Sequence, residues 1–117
     1  MKKLAIILSI LLITATAFGA GFQGAKTSGE KTADAAITTS PGYITAIYVI
    51  SDGSNNPKII VYDNATAASG TVLIEMTVVA SDNYGGRSWV FPAEFFNGIY
   101  VDVSGTGASY IIEYITK

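Results

Sequence analysis

The chain of 117 residues contains neither cysteine nor histidine. The first absence rules out disulfide staples and thiolate metal sites. The second removes imidazole as ligand, base or proton shuttle. Together they exclude the Ser-His-Asp and Cys-His arrangements of nucleophilic hydrolases. Charge is scarce too: Asp, Glu, Lys and Arg make up 14% of residues, nine acidic against seven basic. That balance offers no basic stripe for the phosphates of nucleic acid, and none for an anionic membrane surface. Helical patterning is also missing beyond the N-terminus, where Gly, Pro and β-branched residues interrupt every longer window.

What the chain has in quantity is apolar surface, 50% of its residues, with seven tyrosines. Part of it is concentrated at the start. Lys2-Lys3 is followed by an apolar run from Leu4 to Ile13, and then by small residues at Ala15-Thr16-Ala17. This is the layout of a bacterial secretory signal peptide covering residues 1–17, with cleavage after Ala17 or, as the alternative, after Gly19. A retained anchor is the rival reading, but the run is short against the roughly 20 residues that span a bilayer. A lipoprotein anchor has no cysteine to attach to. Removing residues 1–17 leaves five basic and nine acidic side chains, a net charge of −4. The expectation is an exported protein with no stable membrane anchor after cleavage.

Residues 18–36, with Gly19, Gly21, Gly24 and Gly29, read as a flexible arm with an edge strand near Ala35 to Thr39. Residues 37–117 read as one β domain. Tyr43–Ile50 is apolar on both faces, Asp52–Pro57 is a dense turn cluster, and Lys58–Asp63 is the next strand, expected to form a hairpin with the first. Thr71–Ala80 is the longest strand candidate, with Val72, Ile74, Met76 and Val78 on one face. Arg87–Pro92 follows, where Trp89 and Phe91 share a face and Pro92 ends the ladder or marks an edge. Ile99–Val103 alternates with a period of two, and Ser104–Ala108 is Gly-rich. Tyr110–Ile115 then runs back, which predicts a second hairpin. Five to seven strands with such punctuation indicate an all-β fold, a small antiparallel β-sandwich or jelly-roll-like barrel.

Three constellations could carry chemistry. The oxygen-rich turns at Asp52–Asn56, Asp63-Asn64 and Asp82-Asn83 resemble calcium loops in composition, but lack the EF-hand spacing. Asp and Asn also belong in turns for local reasons. Glu75 with Asp102 or Glu113 is a formal carboxylate pair for glycoside hydrolysis, in a domain with little room for a sugar-sized cleft. The aromatic residues Tyr43, Tyr48, Tyr62, Tyr84, Trp89, Tyr100, Tyr110 and Tyr114 are expected mostly in the core, with Tyr100 the best exposed. Asn64-Ala65-Thr66 matches a glycosylation sequon that a bacterial style of export sets aside. No catalytic residue, cofactor site or metal site is assigned.

Over Ile60–Leu73 and Phe96–Ala108 the chain resembles a family of small β proteins encoded in tailed-phage and prophage genomes and in environmental viral sequence. The resemblance extends from about Gly42 to Tyr114. It implies a virion-associated structural role, such as capsid decoration or a fibre or tail accessory protein, and it brings no catalytic residues. The signal-peptide layout departs from a capsid component assembled in the cytoplasm and favours an exported or membrane-assembled version. The sequence reading is therefore a non-enzymatic structural or interaction protein, periplasmic, extracellular or on a virion surface. Its expected partners are copies of itself and other virion or cell-surface proteins. Tyr100, Ile111, Glu113 and Ile115 are the candidate interface, because Ile111 and Ile115 flank the lone Glu113 on what should be a solvated face. The alternative is a secreted carbohydrate-binding module that stacks a glycan on exposed Tyr and Trp.

Overall fold

A computed structural model describes residues 24–82 and 84–117, and over residues 84–92 it describes the backbone alone. The expected signal peptide and both of its cleavage points lie outside the described residues. Eight strands are described: β1 (Lys26–Thr27), β2 (Ala35–Thr38), β3 (Gly42–Ser51), β4 (Lys58–Tyr62), β5 (Val72–Thr77), β6 (Tyr84–Phe95), β7 (Ile99–Ser104) and β8 (Ala108–Thr116). They form two four-stranded sheets with antiparallel pairing throughout. The front sheet has the order β1-β8-β3-β6 and the back sheet β2-β7-β4-β5. This strand order, two Greek keys wound into a double sheet, is the jelly roll.

The connections differ from the expected hairpins. β3 and β4 lie in different sheets, and so do β7 and β8. Only β4 and β5 are consecutive strands that pair with each other, through the loop of residues 63–71. A hairpin loop closes about 4.8 Å between paired strands, whereas these turns cross about 10 Å between sheets. Three extended residues, such as Gly105–Gly107 between β7 and β8, reach either distance, so local turn chemistry does not choose between them. The β1–β2, β3–β4, β5–β6 and β7–β8 connections gather at one end of the sandwich, here the upper end. The other three gather at the lower end.

Strand lengths also depart from expectation. β5 is six residues long, and β6, with twelve, is the longest. A register shift between Val61 and Tyr62 sets Val72 opposite Tyr62 and leaves Leu73 unpaired. Val72 is therefore 48% exposed, whereas Leu73 packs against the core beside Ile74, Met76 and Val78. A second bulge, at Thr45 in β3, has a larger effect. Ile44 and Ile47 are three residues apart and would face opposite ways in a regular strand. The bulge turns both into the core, where each is fully buried.

The core lies between the sheets. Ile44, Ile47, Val49, Phe95, Tyr110, Ile112 and Tyr114 come from the front, and Ile59, Val61, Ile74, Ile99 and Val101 from the back. Alternation along β7 and β8 thus faces inward as its period of two predicts. The Gly-rich segment before β2 lies along the outer edge of β8. Lys26 and Thr27 pair with Tyr114 and Glu113, and Ser28 and Lys31 bond the backbone of Ile112 and Tyr110. The segment then crosses to the back sheet, where Asp34 accepts the Val103 N–H at 2.8 Å. The expected edge strand is present there as β2, paired with β7.

Candidate functional site

The two outer faces differ in chemistry. On the back sheet, Lys58 bridges Glu75 at 2.6 Å, Ile60 sits between Glu75 and Asp102, and Lys58 pairs with Thr77 and Ser104. Tyr62 faces Tyr100 across β4 and β7, and both are half-buried. Charged and hydroxyl groups alternate with apolar ones, as on an ordinary solvated sheet.

The front face does not follow that pattern. Along β3 and β8 the outward pairs are Ile50 with Ser109, Tyr48 with Ile111, Ala46 with Glu113, and Tyr43 with Ile115. Tyr48 is 41% and Ile50 37% exposed, while Ile111 and Ile115 are half-buried. Glu113 is the one charged side chain among these outward positions. The result is an apolar stripe running the length of the two central strands.

Polar groups close the stripe at both ends. At the lower end Lys117 forms an ion pair with Glu94, and its ammonium lies 4.9 Å from the Tyr43 ring centre and 5.7 Å from that of Phe96. The hydrogen bond to Glu94, and then that to Tyr43, holds the Lys117 amine above its ordinary range. At the upper end Asp52 stands beyond Ile50 in the β3–β4 connection. Its Oδ1 accepts the backbone N–H groups of Ser54 and Asn55 at 2.8 and 2.9 Å, and its Oδ2 accepts Asn55 Nδ2 at 2.9 Å. These bonds, that from Ser54 first, draw the carboxyl below its usual range.

The sequence-derived interface residues divide between the faces. Ile111, Glu113 and Ile115 lie together on the front stripe, and Tyr100 lies on the opposite sheet. Tyr100 is half-buried, so Tyr48 is the more exposed tyrosine. Tyr48 and Ile50 complete the stripe although neither is among the sequence-derived interface residues. Their signal was the double-sided apolarity of Tyr43–Ile50, which alone does not say which residues face out. Tyr110 and Tyr114 are core residues, as expected of most of the aromatics. The side chains of Tyr84, Trp89 and Phe91 lie outside the described residues.

The oxygen-rich turns at Asp52–Asn56 and Asp63-Asn64 accept backbone N–H groups, from their own loop or from a neighbouring one. Asp63 accepts the N–H groups of Phe96 and Asn97, and Asn64 Oδ1 accepts those of Thr66 and Ala67. Among the described residues no three acidic side chains converge as a metal site would require. Glu75 and Asp102 lie on either side of Ile60 on an open face, and Glu113 is on the other sheet. Comparison with protein-family models, curated proteins and solved structures returns no match.

Proposed function

We propose that this chain is a non-enzymatic, exported structural subunit that packs against further copies of itself through the front face, as part of a phage-like virion or surface assembly. The observation that carries this reading is the contrast between the two outer faces of one sandwich. The back face has the mixed polarity of a solvated sheet. The front face presents Tyr48, Ile50, Ile111 and Ile115 in register with a single carboxylate among them. Contiguous exposed apolar surface is uncommon on monomeric proteins and marks interaction surfaces. With no disulfide available, burying this stripe between subunits also stabilises a small domain. The phage-family resemblance supports the kind of assembly, and the N-terminal layout supports export. Light scattering coupled to size exclusion tests the reading. A homo-oligomer at micromolar concentration is the expected result, and a monomer at tens of micromolar contradicts it.

A further inference from the structure

An open cleft of about 390 Å³ lies at the upper end of the front sheet, walled by Thr32, Ile50, Asp52, Gly107 and Ser109. Its size falls within the range of small-ligand sites. We propose that this cleft binds one unit of a neutral saccharide, with Asp52 as the acceptor for its hydroxyls and Ile50 as the surface under its apolar face. The inference does not depend on the assembly reading, and only Ile50 and its strand partner Ser109 are common to both.

Asp52 is the centre of the argument. A carboxylate has about four acceptor positions, and the Ser54 and Asn55 bonds occupy three of them. Those bonds fix the group in one orientation and keep it ionised, so it meets a ligand without reorganising. The remaining capacity is on Oδ2, which stands directly over Gly107. A Cβ at position 107 would collide with that oxygen. Glycine, at φ +73°, is what lets the carboxylate lie against the β7–β8 connection at the wall of the cleft.

The other walls narrow the ligand class. Thr32 and Ser109 supply hydroxyls, while Ser51 is already engaged with Asn55 and Gly53. Ile50, 37% exposed, and Ala108 supply an apolar floor. Among the described lining residues Asp52 is the only charge, and it disfavours phosphates and carboxylates. A quaternary ammonium would also satisfy the charge, but among the described residues no aromatic ring lines the cleft to complete a cation–π cage. A molecule rich in hydroxyl donors, with one C–H face, meets every wall.

The test is an amide-resolved NMR titration of the full chain with methyl glycosides of glucose, galactose, mannose and N-acetylglucosamine, with choline in parallel. At least one glycoside should shift the amides of Ile50, Asp52, Gly107 and Ser109 saturably, with Kd on the order of 1–10 mM. Asp52→Asn keeps an oxygen for the Ser54 and Asn55 amides and should weaken binding about tenfold, or about 1.4 kcal/mol. Thr32→Val, outside that turn, should weaken binding about threefold at unchanged unfolding temperature, which separates lost recognition from lost folding. Three results would each overturn the proposal: no glycoside shifting these amides by about 50 mM, saturable binding of choline alone, or full sugar affinity in both variants.

Discussion

Tyr110 donates its hydroxyl to the carbonyl oxygen of Ala33 at 3.0 Å, which ties the middle of the core to the segment that crosses between the sheets. The Tyr110 side chain is fully buried. Burial, reinforced by Asp34 and Tyr100, pushes its phenol up to about 12 from an ordinary value of 10.0. The folded state therefore holds the proton longer than the unfolded state. The stabilisation is fully present below pH 10 and is lost as pH rises from there towards 12. Two units correspond to roughly 2–3 kcal/mol. Urea unfolding at pH 8 and pH 11 should show about half of that fall, roughly 1–1.5 kcal/mol, and Tyr110→Phe should remove most of the pH dependence. At pH 8 the same substitution should cost about 1 kcal/mol, for the lost hydrogen bond.

The β7–β8 connection provides an internal comparison. Gly105 and Gly107 both have positive φ, at +97° and +73°. A side chain at 105 would reach only ordinary contact with Asn56 and Pro57, whereas one at 107 would run into the Asp52 carboxylate. Gly105→Ala should cost about 1–2 kcal/mol from backbone strain alone. Gly107→Ala should cost clearly more. In thermal unfolding, Asp52→Ala should destabilise the Gly107→Ala protein less than it destabilises the unsubstituted one, and equal effects would argue against the clash.

Asp63 holds the lower end together. Its carboxylate accepts Phe96 N at 3.0 Å and Asn97 N at 2.7 Å, which joins the start of the β4–β5 loop to the β6–β7 connection. The adjoining Gly98, at φ +131°, lies so close to Thr38 that no side chain fits. Hydrogen bonds to a charged acceptor contribute more than neutral ones, so Asp63→Ala should lower stability by about 2–3 kcal/mol. Asp63→Asn, which keeps an acceptor oxygen, should cost about half as much. Chemical denaturation of the two variants decides this.

Assembly through the front face predicts a clear asymmetry between substitutions. Ile111→Asp should shift the oligomer towards monomer, whereas Ile60→Asp on the back face should leave its size unchanged. Ile112→Ala, one residue from Ile111 but pointing into the core, should cost about 2–5 kcal/mol in stability. Size-exclusion profiles that shift equally for Ile111→Asp and Ile60→Asp would remove the case for the front face.

Export predicts a defined N-terminus. Mass spectrometry of the protein secreted from a bacterial host should show a chain beginning at Phe18 or Ala20. Protein extracted from the membrane with Met1 intact would contradict it.

The sequence carries some of these features openly and others not. The alternation of Ile99 and Val101, and of Tyr110, Ile112 and Tyr114, is a local property, and these residues face the core as their spacing requires. The front stripe was half visible for the same reason, since Ile111, Glu113 and Ile115 fall between core positions. Strand partnership was not legible. Gly-rich turns after β3 and β7 have the composition of hairpin loops, yet both cross between sheets. That choice is made by the burial of two whole inner faces, which no window of sequence contains. The bulges at Thr45 and Leu73 were hidden too, since a single unpaired residue leaves little trace in composition while reversing which neighbours face out.

The pairing of β8 has a consequence for synthesis. The front sheet places the last strand between β1 and β3, so β1 has no strand partner, and β3 only β6, until the C-terminus is available. A chain emerging from the ribosome N-terminus first can gather apolar segments but cannot close this sheet before Thr116 is made. Non-local pairing of this kind also folds slowly. For a chain bound for a translocation channel, that delay is useful, because threading requires an unfolded polypeptide. Under the proposed export, the topology that closes the sandwich last would also hold the chain in a threadable state.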